Sequence, residues 1–121
     1  MKKNINKEII TVDASGRTLG RVATEVAMFL MGKTKATFER NKYSGFPVKV
    51  LNAGKIKITV KKLDQIVHKR YSGMRGGLRI TKGTETKEKK GMKELVRFAT
   101  FQMLPDNKIR REMMKHLTIE E

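Results

Sequence analysis

The chain has 121 residues, with 28 Lys or Arg against 12 Asp or Glu, a formal net charge of +16 at pH 7. That length supports one domain with a modest core, and 38% hydrophobic residues without any run near ~18 apolar positions exclude both a disordered basic tail and a membrane-spanning helix. The absence of cysteine removes disulfides, thiolate metal sites and cysteine nucleophiles together, and the segment Met1–Glu8 lacks the apolar core of a secretory signal.

In chain order, Ile9-Ile10-Thr11-Val12 is an unalternated β-branched run that predicts a strand buried on both faces. A turn over Asp13–Thr18 follows. Leu19, Val22, Ala23, Val26, Ala27 and Leu30 then form one apolar stripe of a helix, with Thr18 as N-cap and Gly32 as the C-terminal stop. A basic connector spans Lys33 to Lys42, and a strand is expected over Pro47–Leu51 with a turn at Asn52-Ala53-Gly54. Lys55–Val60 alternates lysine with isoleucine and predicts a half-exposed strand; Ile66–Tyr71 is a further extended segment. Residues 72–90 are basic, rich in Gly at their start and almost free of apolar residues, and so predict a loop. Met92, Leu95, Val96, Ala99 and Met103 mark a helix ending before Pro105. Asp106 is placed to cap a last helix with Ile109, Met113 and Leu117 inward and Lys108, Arg111 and Lys115 outward. The expected architecture is a single α/β domain over residues 1–121, three-layer α/β/α with a mostly parallel sheet. Residues 1–8 and 120–121 are expected to be irregular.

The charge is not spread evenly. Residues 31–90 hold 17 basic and 4 acidic residues, a net +13, whereas the two ends are nearly neutral. Cations concentrated in connectors and loops between packed elements point to a polyanion-binding face, for which polyphosphate is the natural partner. Anionic membrane is the rival, but it calls for a basic amphipathic helix with bulky apolar anchors.

The densest constellation is His68–Arg79, which includes Lys69, Arg70, Tyr71, Ser72, Gly73, Arg75, Gly76 and Gly77. Glycines let the backbone approach a phosphate, Arg forks pair with its oxygens, and a Tyr ring stacks on a base or ribose. Lys33, Lys35, Arg40 and Lys42 form a second patch. Arg17 and Arg21 flank a turn that opens a helix, where an RNA phosphate fits the free N–H groups. Lys108, Arg110 and Arg111 complete the basic set.

Other motifs weaken on inspection. Gly32-Lys33-Thr34 resembles the end of a P-loop, but the upstream Gly position is Ala27 and the tripeptide follows a helix instead of opening one. Ser15–Gly20 is not a dinucleotide fingerprint, and an ordinary βα turn explains it. His68 and His116 lack partners at metal spacing, so packing or surface roles are expected, and the acidic residues assemble no catalytic set. The eight methionines fall mostly on helix stripes as core filler.

The ordered set Val12–Thr24, Val50–Ile56, Tyr71-Ser72-Gly73 with Gly76-Gly77-Leu78, and Met103-Leu104-Pro105 resembles the bacterial-type family of ribosomal protein thirteen of the large subunit, over about residues 9–119. The resemblance implies an α/β/α fold with a four-stranded parallel sheet, binding of large-subunit rRNA and help in early subunit assembly. It places Tyr71, Ser72, Gly73, Gly76 and Gly77 at the RNA interface. The chain departs from the family pattern at Gln102 and at Ile109-Arg110-Arg111. It lacks the aromatic residues usual before the first strand, and it stops at Glu120-Glu121, short of the family's C-terminal extension.

The expectation is therefore a non-enzymatic, cytoplasmic, ribosome-bound protein. Its partners would be large-subunit rRNA and neighbouring ribosomal proteins, with no cofactor, metal, membrane or small-molecule substrate. A free-standing nucleic-acid-binding regulator is the nearer alternative, and a small nucleotide-dependent enzyme the more remote one.

Overall fold

The structure is a computed structural model and describes residues 8–121. Expectations that fall on residues 1–7 lie outside the described residues. Three parallel strands form the central sheet: β1 (Ile10–Asp13), β2 (Val48–Leu51) and β5 (Leu117–Ile119), in the order β1-β2-β5. Register places Val12 beside Val50 and Val50 beside Ile119, so one face presents a row of buried side chains. Successive strand residues point to opposite faces, and the other face carries Thr11, Asp13, Lys49 and Thr118, exposed or half exposed. The first strand is thus buried on one face and not on both, with Ile9 66% exposed. On that face Lys49 pairs with Glu120 at 2.7 Å, and the whole is the mixed α/β fold with a parallel sheet that the sequence predicts.

Helix α1 (Leu19–Met31) buries Val22, Ala23, Val26, Ala27 and Leu30, the stripe its spacing predicts. Gly32 ends it at φ 77°, a left-handed position that suits glycine, and its N–H donates to the carbonyls of Met28 and Phe29. The core continues from α1 to Leu95 and Val96. These two residues lie on the longest C-terminal helix, Met92–Met103.

Four segments differ from the sequence reading. Lys55–Val60 is not a strand: a 3₁₀ turn occupies Ala53–Lys55 after Asn52 at φ 56°, and Lys57 contributes a single parallel bridge to Thr18. Helix α2 (Val60–Gln65) then begins because the Thr59 hydroxyl accepts from the Lys62 N–H at 3.3 Å. The alternation is real, with Ile56 buried and Lys55 and Lys57 exposed, but a side-chain pattern does not supply a partner strand.

Residues 72–90 are not one loop. Strand β3 (Val67–Tyr71) pairs antiparallel with β4 (Leu78–Lys82), and helix α3 (Gly83–Lys90) follows. This hairpin pairs only with itself, so the parallel sheet has three strands, fewer than the four implied by resemblance. Helix α3 buries only Gly83 and Thr86 and leaves no apolar stripe to read.

Helix α4 (Met92–Met103) turns Met103 outward, 48% exposed, and buries Thr100 instead, whose hydroxyl donates to Val96 O at 2.9 Å. Helix α5 (Arg110–Lys115) stops before Leu117, which enters β5; Asn107 Oδ1, not Asp106, accepts the Arg110 N–H at 3.0 Å. The terminal residues join the framework. Glu120 N–H donates to Val50 O at 2.9 Å, and the Glu121 carboxylate accepts from Lys93 N–H at 3.3 Å, at the positive end of α4.

Candidate nucleic-acid interface

The β3–β4 hairpin brings the strongest sequence constellation together. Cross-strand partners in an antiparallel pair share a face. Arg70 therefore stands beside Arg79 on one face, and Tyr71 beside Leu78 on the other. Lys69, Arg70, Tyr71, Arg75 and Arg79 are all exposed, and no ion pair involves any of them among the described residues.

Glycine geometry shapes the tip. Gly73 and Gly76 have φ of 86° and 69°, positions that side chains rarely adopt. Gly77 N–H donates to Met74 O at 3.0 Å, and Ser72 N–H donates to Gly77 O at 3.3 Å, closing the turn. A Cβ on Gly77 would lie 1.9 Å from Ser72 Oγ. Arg70, Ser72, Gly76, Gly77 and Arg79 together line a concavity of about 310 Å³. Two guanidinium forks, a hydroxyl and an open glycine backbone around such a space match the shape and charge of a phosphate.

The other predicted cations fall in different settings. Lys33 and Arg40 are exposed and border a second concavity with Phe38, Pro105 and Asn107. Lys35 turns inward, donating to Ser44 O at 2.7 Å and lying 3.9 Å above the Phe46 ring. Lys42 pairs with Glu39 at 3.0 Å, and Arg17 pairs with Glu25. Arg21, Lys108 and Arg111 are exposed. Arg110 is held within the chain: its guanidinium donates to Leu104 O at 2.8 Å and Pro105 O at 3.2 Å and pairs with Asp106 at 3.4 Å.

The turn before α1 is fixed from within. Asp13 accepts from the Ser15 N–H and hydroxyl at 3.0 Å each and from the Asn52 amide at 3.1 Å. The Ser15 N–H above all, then Asn52 and the Ser15 hydroxyl, hold the Asp13 carboxyl below its ordinary value against a small opposing effect of burial. Gly32-Lys33-Thr34 offers no phosphate cradle, because the Gly32 and Lys33 N–H groups donate back into α1. The histidines pack: His68 stacks on Phe98 at 4.2 Å and His116 on Tyr43 at 5.0 Å. Among the described residues no group of three or more His, Asp or Glu is arranged to hold a metal, and no helix is long and apolar enough to cross a membrane.

Sequence reasoning missed two features. Val67, Tyr71, Leu78 and Ile80 form an apolar face on the hairpin, each 41–64% exposed. A groove lined by Phe98 and Phe101 lies between α4 and α5. The signal for the groove was present: Phe98 and Phe101 are three apart, Arg111 and Lys115 four apart, both same-face spacings on a helix.

Residues 7–120 match the family model described as Ribosomal protein L13. The chain belongs to the ribosomal protein L13 family. Three relatives, each named large ribosomal subunit protein uL13, illustrate the similarity. That of Syntrophotalea carbinolica is 39% identical over 98% of this chain and 82% of its own length. That of Clostridioides difficile is 40% identical over 96% and 80%, and that of Clostridium perfringens 41% over 97% and 81%. The family resemblance drawn from the ordered motifs is thereby established, and with it membership of a family of large-subunit ribosomal proteins.

Proposed function

We propose that the chain is a non-enzymatic structural component of the large ribosomal subunit, which binds large-subunit rRNA through its basic hairpin and supports early subunit assembly. One observation carries the reading. Arg70 and Arg79 oppose each other beside Ser72 and the Gly76-Gly77 backbone, with no carboxylate among the described residues paired to either. Such an arrangement repels itself until an anion occupies it, and an RNA phosphate has the matching charge and geometry. Lys33, Arg40 and Lys108 add phosphate contacts elsewhere on the surface. Contacts of this kind go to phosphate and sugar, so recognition follows RNA shape more than sequence.

Sedimentation of a cell lysate through a sucrose gradient tests the reading. The chain should travel with large subunits, and replacing Arg70, Arg75 and Arg79 with Ala should shift it to the soluble fraction while the thermal midpoint stays nearly unchanged. A wild-type chain found only in the soluble fraction would favour a free-standing regulator.

A further inference from the structure

Phe98 and Phe101 border a mostly apolar groove of about 450 Å³ between α4 and α5, edged by Arg97, Arg111 and Lys115. Phe101 is 39% exposed, more than a core ring. The Arg110 guanidinium covers Phe101 at 4.3 Å and is itself tethered to Leu104, Pro105 and Asp106. Phe98 is backed by the His68 ring at 4.2 Å. Both aromatic rings are therefore held in place before any ligand arrives. Glu94, the one carboxylate on the wall among the described residues, lies 3.9 Å from Lys90.

One ring contact links the groove's wall to the hairpin: His68 of β3 stacks on Phe98. His68 and Arg70 alternate along β3, so they share the face that carries Arg79. The arginine pair and the ring that stacks on Phe98 therefore lie on one face of the hairpin.

We propose that this groove receives an unpaired nucleotide of the RNA held by the hairpin, its base stacked on Phe98 and Phe101 and its phosphate met by Arg97, Arg111 and Lys115. The proposal rests on the rRNA-binding reading and adds to it a preference for a single-stranded or bulged segment. Aromatic rings recognise the open face of a base, which a paired duplex does not offer, and flanking cations recognise the backbone. An acidic peptide would satisfy the cations but offers no flat ring to the aromatic wall.

The test uses the intact chain and two RNAs of equal phosphate count: a single strand carrying a fluorescent purine analogue quenched by stacking, and a fully paired hairpin. The wild-type chain should bind the single strand more tightly and quench the analogue. Phe101→Ala should reduce that preference about tenfold with an unchanged salt dependence. Phe101→Leu, which keeps apolar bulk without an aromatic face, should do the same if the Ala variant is poorly folded. Arg111→Ala should lower the salt dependence and retain quenching. Unchanged preference and quenching in both Phe101 variants, alongside weakened binding by Arg70→Ala, would overturn the groove and leave the hairpin reading intact. No binding of either RNA by the wild-type chain would overturn both. An acidic peptide competing as well as the single strand would also overturn the groove proposal.

Discussion

Arg70 and Arg79 occupy directly opposed positions on β3 and β4, so two like charges share one cross-strand site. Opposed like charges weaken a hairpin, by a fraction of about 1 kcal/mol when exposed. Replacing either residue with Thr should leave the thermal midpoint unchanged or raise it slightly. A loss beyond ~2 kcal/mol would instead assign the pair to fold stability. Thermal unfolding of the two single variants decides the matter.

The hairpin tip depends on a missing side chain. An alanine at Gly77 would bring its Cβ to 1.9 Å from Ser72 Oγ and 3.0 Å from Met74 O. Gly77→Ala should therefore displace the Ser72 hydroxyl from the concavity and weaken RNA binding. The global midpoint should hold, because the buried core lies outside residues 67–82. Binding equal to wild type would show that the tip's shape does not matter.

Asp13 ties the first turn to Asn52 as a carboxylate. Its folded-state pKa is lowered, so its contribution is present above the unfolded-state value and is lost as pH falls through the folded value. Asp13→Asn should be less stable than wild type at neutral pH, with the gap closing in acid. Unfolding midpoints against pH measure this; a gap independent of pH would contradict the ionised hydrogen-bonded carboxylate.

Burial first, and Glu112 second, raises the Tyr43 phenol from 10.0 to about 12. The neutral phenol is the form the fold favours, so its contribution is intact below the unfolded-state value and is lost as pH rises through the folded one. The chain has two tyrosines, and Tyr71→Phe leaves Tyr43 alone to titrate. Phenolate absorbance in that variant should develop near 12, ahead of or together with unfolding. A midpoint near 10 in the folded chain would contradict burial of the ring.

What could be read from the sequence followed the apolar periodicity. Helix α1 was legible to its stop because Leu19 to Leu30 keep one stripe and Gly32 closes it. Strand β4 and helix α3 were not, since both are exposed on nearly all sides and their existence rests on backbone pairing and on Glu and Lys helix propensity. Leu117 fitted a helical spacing from Met113 yet joins β5, because pairing with Val48 replaces the last turn. The basic Gly-rich cluster was visible as composition, but not the opposition of Arg70 and Arg79, which needs the register of the hairpin. Lys35 and Arg110 looked like the other cations in sequence, and only their contacts with Ser44, Leu104 and Pro105 set them apart.

The most direct test is the salt dependence of affinity for a large-subunit rRNA fragment, comparing the wild-type chain with the Arg70→Ala, Arg79→Ala double variant. Each phosphate neutralised contributes about −0.7 to −0.9 to the log–log slope. The wild-type slope should be steep, and the double variant's shallower by about 1.4 to 1.8. Affinity that hardly changes between low and physiological salt, or identical slopes for the two proteins, would contradict phosphate binding by the arginine pair.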